Sequence, residues 1–223
     1  MDGTIITLNV CDFPDIRRWC MDELDYLCTI DHCYFPQFEK IKFGATPWRS
    51  MCIQNAGGSS EISEALSMQY MFHRFGVNDF IPECEVDYWI EYKMCDYLMI
   101  KNGINIGVSV TRAIPFPFYV PYTYEMAVTL LDKKLNGLIV SRNAVNDRHQ
   151  FFKSILHVWC STKEGAENIQ KAYQNLIIND MDKTYSTIYV ICTVCLEDYI
   201  YTNYVNGIRA KYVWGSSAQH IFF

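Results

Sequence analysis

The sequence contains no apolar run near the roughly 20 residues that a helix needs to cross a bilayer, no internal repeat and no low-complexity tract. These gaps exclude a helical membrane span, a solenoid and a disordered tail. Its 11 glycines and 7 prolines never gather into a Pro/Gly/Ser linker. Positive charge is also short: 19 Lys and Arg stand against 25 Asp and Glu, a net charge of −6, which argues against a generally basic nucleic-acid coat. Gly57-Gly58-Ser59-Ser60 could meet an anion through backbone N–H groups at a helix start, but it lacks a P-loop lysine. His73 and His149 have no partner spacing that suggests nucleophilic catalysis. The opening, MDGTIITLNVCDF, is acidic, with no basic stretch before an apolar one, and the expectation is a cytoplasmic or nuclear protein with no membrane partner.

Hydrophobic residues make up 50% of the chain, enough for one core. Ten cysteines in a reducing compartment should be thiols, and several lie in apolar runs where they act as small hydrophobes. His157-x2-Cys160 with Cys192-x2-Cys195 has the ligand types for zinc. Both pairs lie in strand-like runs, however, where residues three apart point to opposite faces. Cys28, His32 and Cys33 offer three close ligands. Cys192 and Cys195 as a redox pair would close a strand rather than open a helix. The expectation is no disulfide within that pair and no zinc.

The chain reads as an α/β protein. Residues 1–55 are expected to be an N-terminal extension packed on a domain spanning 56–223, with Asn55–Ser60 as the candidate boundary. Strand character is expected at Thr4–Val10, a helix at Asp12–Leu27 and extended chain at Tyr34–Phe43. A helix capped by Ser59 or Ser60 should run to Phe75 and stop at Gly76. Strands follow at Glu83–Tyr92, Lys93–Lys101 and Ile104–Ala113. Thr123 should cap a helix over Tyr124–Leu135, with Lys133 and Lys134 in its last turn and Gly137 ending it. Leu138–Val145, Ser154–Cys160 and Thr187–Val194 read as strands, and Lys163–Ile178 as a helix. Together they predict a central mixed sheet flanked by helices.

Most of the chemical information lies in one hairpin. Asn102-Gly103 between two β runs is a type I′ turn signal, and it pairs residues whose numbers sum to 205. Asp96 then sits opposite Ser109 and Leu98 opposite Gly107. Asp96, Ser109 and Thr111 share one face, with Gly107 leaving room beside them. An acid near an apolar strand must be paired, hydrated or metal-bound. Glu85 and Asp87 alternate with Val86 and Tyr88 and equally describe the wet side of a half-buried strand.

This arrangement resembles the PD-(D/E)xK, or restriction-endonuclease-like, superfamily, whose core runs α-β-β-β-α-β. The resemblance covers about residues 58–145 and reaches 195 with added elements. It implies Mg²⁺ or Mn²⁺ held by Glu64 on the first helix and Asp96 on the second strand, with Glu61 as the second choice for the helix acid. Ser109 would be a direct or water-mediated ligand, and Thr111 would hydrogen-bond water or phosphate. The pattern departs at two places. Ser109 stands where an acid is commonest, and Thr111 where a lysine should be. In this superfamily the lysine sometimes migrates to the second helix, which points to Lys133 or Lys134.

The richest basic stretch, residues 133–153, carries Lys133, Lys134, Arg142, Arg148 and Lys153 against one acid, Asp147. A polyanion could dock there. The implied function is a nuclease-like protein that binds or slowly cleaves nucleic acid with a divalent metal. The alternative is a non-catalytic protein-interaction or scaffold protein on the same fold.

Overall fold

The computed structural model describes residues 7–10, 16–21, 24–52, 60–90, 92–181 and 183–209. Their strands are β1 (Thr7–Val10), β2 (Cys28–Tyr34), β3 (Phe80–Pro82), β4 (Tyr97–Lys101), β5 (Ile104–Ala113), β6 (Lys153–Cys160) and β7 (Ile188–Val194), with a small separate hairpin of β8 (Tyr204–Val205) and β9 (Ile208–Arg209). Helices are α1 (Ile16–Cys20), α2 (Ala45–Cys52), α3 (Glu61–Phe75), α4 (Tyr124–Ala144), α5 (Lys163–Ile178) and α6 (Asp198–Thr202). The seven longer strands form one mixed sheet in the order β1-β2-β7-β6-β5-β4-β3. β2, β7, β6 and β5 are mutually parallel, whereas β1–β2, β5–β4 and β4–β3 pair antiparallel. Among the described residues no helix is long and apolar enough to cross a membrane.

Every residue of β6 and β7 is buried, as parallel strands covered on both faces require. On one face Val108, Val110, Ile155, Trp159 and Ile191 pack with Ile62, Leu66 and Tyr70 of α3. On the other, Leu98, Leu156, Val158 and Val190 pack with Leu131 and Leu135 of α4 and Ile169 and Tyr173 of α5. Residues 7–52, expected as an extension, contribute β1 and β2 to this same sheet, and β2 lies beside β7. Residues 53–59, where the boundary was expected, lie outside the described residues, as do 12–15 and 22–23 within the expected first helix.

The hairpin expectation holds. Asn102 and Gly103 have φ of 53° and 78°, the paired positive angles of a type I′ turn. Lys101 pairs with Ile104 and Leu98 with Gly107. α3 ends as expected at Gly76, in the left-handed region at φ 62°. Ser60 precedes it without a side-chain capping bond; its hydroxyl donates to Glu64 Oε1 instead. Thr123 does cap α4, accepting from Met126 N at 3.4 Å.

Several expectations are corrected. Gly137 does not end α4, which runs on to Ala144, so no strand forms over Leu138–Val145. The inward stripe Leu131, Leu135, Leu138 continues through Ser141, and this burial outweighs the roughly 1 kcal/mol that an interior glycine costs. Where a strand was expected at Glu83–Tyr92, the described residues form a 3₁₀ turn at Glu83–Glu85 followed by a loop over 86–90. That loop docks on the far end of α4: Trp89 N donates to Ala144 O at 2.8 Å, and the Tyr88 hydroxyl meets Ser141 Oγ at 3.0 Å and accepts from Cys95 N at 3.0 Å. Its alternating pattern reflects packing on a helix, not on a sheet. α2 carries no expectation from the sequence, and Phe38–Lys40 is a 3₁₀ turn within the segment expected to be extended.

Candidate active site

β4 begins at Tyr97, opposite Val108, and so stops two residues short of covering Val110 on β5. The Asp96 side chain fills that gap. Its Oδ2 accepts from Val110 N at 2.6 Å and from Ser109 Oγ at 3.0 Å, while Asp96 N donates to Val108 O at 2.9 Å. The carboxylate is thereby fixed at the end of the sheet, on the α4 face. Thr111 lies two residues further along the same face and is half-buried. The room expected beside Gly107 is filled: a Cβ there would lie 2.4 Å from Cε2 of the buried Phe151 ring.

Two further groups join this carboxylate. Glu83 N donates to Asp96 O at 3.0 Å, which continues the β3–β4 register in which Pro82 pairs with Tyr97. Facing residues share a side of the sheet, so Glu83 and Asp96 are neighbouring acids. Burial first, and then the charge of Asp96, raise the Glu83 carboxyl to about 6. The second group is Lys134, near the middle of the 21-residue α4 rather than in a last turn. Its Nζ lies 3.4 Å from Val110 O. Burial pushes the Asp96 carboxyl above the usual carboxylate range, and the Lys134 charge, the Val110 N–H and the Ser109 hydroxyl pull it part of the way back.

Glu64 belongs to the opposite face. α3 meets the sheet where Tyr97 and Arg112 point: the Tyr97 hydroxyl lies 2.7 Å from Ser67 Oγ, and Arg112 Nε donates to Ser63 Oγ at 3.2 Å. The negative charges of Glu64 and Glu61 support the Arg112 cation, which burial otherwise disfavours. The structure therefore brings Asp96, Ser109 and Lys134 together and sets Glu64 on the other side of the sheet. Glu85 and Asp87 point elsewhere as well, ion-paired with Arg49 and Arg148 respectively.

The basic stretch is divided. Lys133 is exposed and Lys134 half-buried. Arg142 is nine residues beyond Lys133, which turns it to the other side of the helix, and it donates to Thr187 Oγ1 at 2.7 Å. Arg148 is exposed. Lys153 is only 4% exposed and lies on the α3 face, its Nζ 5.4 Å from the Trp19 ring centroid. It is no part of an outer surface.

The cysteine and histidine candidates divide by strand parity. His157 is on the α3 face, its Nδ1 2.6 Å from Ser67 Oγ and its Nε2 3.0 Å from Thr193 Oγ1. Burial, aided by the Arg74 charge, lowers it to about 3, so it is neutral. Cys160 and Cys192 pack on the α4 and α5 face and Cys195 on the other. Among the described residues no group of three or more His, Cys, Asp or Glu is arranged to hold a metal ion. The Ser67–His157 contact is fully buried and joins a polar network inside the core. There Arg74 Nε meets Asp31 Oδ2 at 2.8 Å and the Tyr70 hydroxyl at 2.7 Å, and Tyr70 donates to Asp31.

Glu83 escaped sequence reasoning because it was assigned to the start of a strand whose two faces were both spoken for. Pro82 ahead of it was the available signal: it cannot donate to a sheet ladder and favours a strand edge or end.

The fold and this site define a class: an α/β protein with a helix-flanked mixed sheet and a half-buried carboxylate at the sheet's end, backed by a lysine. No family model matches the chain, and no solved structure matches it. The chain is 38% identical over 125 residues to a Dictyostelium discoideum protein described as "AAC-rich mRNA clone AAC4 protein". That match covers 53% of this chain but 18% of the relative, so the chain spans under a fifth of that protein's length.

Proposed function

We propose that the chain is a nuclease-like protein of PD-(D/E)xK type that binds nucleic acid and hydrolyses it slowly with Mg²⁺ or Mn²⁺. The observation that carries the reading is the Asp96 carboxylate, held by Ser109 and Val110 N, with Lys134 reaching it from α4. In support, the element order from α3 through β6 is α-β-β-β-α-β, the order on which the resemblance rests.

The donor set fits a hard cation. Asp96 and Glu83 are neighbouring carboxylates, and both hydrogen bonds to Asp96 fall on Oδ2, so Oδ1 takes part in neither. One or two carboxylates, with water in the remaining positions, is the habit of Mg²⁺. When bound, such an ion polarises a phosphate oxygen and acidifies a water. Asp96 and Glu83 would hold it, in place of the Glu64–Asp96 pair implied by the resemblance. Ser109 orients Asp96. Lys134 supplies the positive charge that Thr111 cannot, and Thr111 hydrogen-bonds water or phosphate.

Isothermal titration with Mn²⁺ tests the site directly. Wild type should bind one ion, Asp96→Asn none, and Glu83→Gln with clearly lower affinity. Unchanged binding by both variants removes the site. Lys134→Met should bind Mn²⁺ normally yet lose about 10²–10³ in cleavage rate, the usual cost of a positioned charge-stabilising donor. A second reading, a non-catalytic interaction protein on this fold, draws on Thr111 standing in the lysine position of the third strand. It gains if the nuclease rate is nil while the fold is intact.

A further inference from the structure

We infer that the pocket between α2, α3 and β3 is a binding site for a nucleobase, with adenine the base that its polar groups match. The pocket lies on the α3 face of the sheet, where Phe80 of β3 joins the core, and Asp96 faces the other side. It therefore does not rest on the nuclease-like reading. Its volume is about 310 Å³, and its lining includes Phe43, Pro47, Phe72 and Phe80 together with Gln69 and Asn78. That is the small end of the range for ligand sites, which are built of apolar and aromatic walls with a few placed polar groups. Among the described lining residues the one charged group is Lys42, and it is exposed. The buried part of the lining is neutral and aromatic, which suits a flat uncharged ring better than an anion.

Gln69 is the group that reads the ring. It is only 6% exposed. Its Oε1 accepts from Gly44 N at 3.3 Å, and its Nε2 lies 3.2 Å from His73 Nε2. The Gly44 amide can only donate, so it fixes which end of the carboxamide is oxygen, and Nε2 then donates to His73. One N–H and one lone pair of this carboxamide remain, and a buried polar group left unmet is costly. Gln69 and Gly44 both line the pocket, so a ligand there meets this amide. A carboxamide offers a donor beside an acceptor, which matches the N6 amine and N7 of adenine; the paired acceptors of guanine call for Arg or Lys instead. An amide at the ring's edge and phenylalanines against its faces are the two kinds of contact that hold an unstacked base.

The test is isothermal titration of the full chain with adenosine, purine riboside and tetra-adenylate. Adenosine should bind. Purine riboside, the same ring without the N6 amine, should bind about tenfold more weakly, the factor that one hydrogen bond supplies. Gln69→Leu should bind the two equally, because the group that tells them apart is gone. Phe72→Ala, a change at a side chain 43% exposed, should weaken adenosine about tenfold through lost stacking, and thermal melts confirm that each variant is folded. Asp96→Asn should bind adenosine as wild type does, so this site and the proposed metal site stand or fall separately. Tetra-adenylate binding tighter than adenosine makes a strand the source of the base; weaker binding makes it a free nucleoside or nucleotide. Absence of adenosine binding at millimolar concentration, a wild type that does not discriminate against purine riboside, or a Gln69→Leu variant that still does, overturns the inference. Phe72→Ala binding like wild type overturns it as well, whether or not Gln69→Leu folds.

Discussion

Replacing Asp96 with alanine and with asparagine should give two different stabilities, and the difference follows from what the side chain does at the end of β4. Alanine leaves Val110 N–H and the Ser109 hydroxyl without the acceptor they now share at 2.6 and 3.0 Å. The hydroxyl can turn elsewhere. The amide belongs to a buried residue with no β4 carbonyl to replace the lost one. An unsatisfied buried donor costs about 1–3 kcal/mol, and a domain of this size shifts about 2–4 °C per kcal/mol. Asp96→Ala should therefore melt about 2–12 °C below Asp96→Asn, which keeps an oxygen in place. Charge acts the other way. Burial raises the Asp96 carboxyl above its ordinary 3.8, so the unfolded chain gives up this proton before the folded one. Wild-type stability from this group is full below 3.8 and is lost as pH rises through the folded value. At pH 7 Asp96→Asn should match or exceed wild type, and the gap should close on acidification. Melting curves of the three proteins between pH 3.5 and 8 check both signs. Alanine and asparagine variants of equal stability, or a wild type that gains on asparagine as pH rises, would refute the reasoning.

Glu83 makes a second pH-dependent contribution. Its carboxyl is raised from 4.5 to about 6 by burial and by Asp96, so its share of stability is present below 4.5 and lost by about 6. Glu83→Gln should flatten stability in that window, and Asp96→Asn should lower the Glu83 value in a carbon-detected NMR titration. Gly107→Ala should cost about 1–3 kcal/mol, the usual penalty for overpacking, because its new methyl meets Phe151 at 2.4 Å; denaturant melts should show that Phe151→Leu restores part of the loss. Arg74→Met strands the fully buried Asp31 charge and should cost about 3–5 kcal/mol, with part recovered when Asp31→Asn is added.

The hairpin was legible because its information is local. Asn102-Gly103 sets the turn and the turn sets the register, so the Asp96–Ser109 contact followed from counting. α5 and α3 were legible for the same reason, α3 through its apolar periodicity and the Gly76 stop. What failed were decisions made by partners distant in sequence. Gly137 looks like a helix stop until the sheet is there to bury Leu138 and Ser141. The 86–89 segment reads like a strand because it docks on the end of α4. Lys134 looked like a last-turn cation only because α4 was expected to stop at Gly137 instead of running through it to Ala144. Glu64 was assigned to the metal by analogy, and nothing in the chain around it says which face of the sheet α3 will cover. That is decided by the β5–α4–β6 crossover, which puts α4 on the Asp96 face and leaves the other for α3.

The central claim, that Asp96 is the centre of a slow metal-dependent nuclease, is tested most directly by cleavage of a labelled single strand in Mn²⁺. Asp96→Asn is the right control because the account expects it to fold. Wild type should cut slowly with Mn²⁺ and not in the presence of a chelator, and Asp96→Asn should not cut while binding the same strand with nearly unchanged affinity. Turnover that persists in Asp96→Asn, or a folded wild type that neither binds Mn²⁺ nor cuts any strand, would contradict the claim.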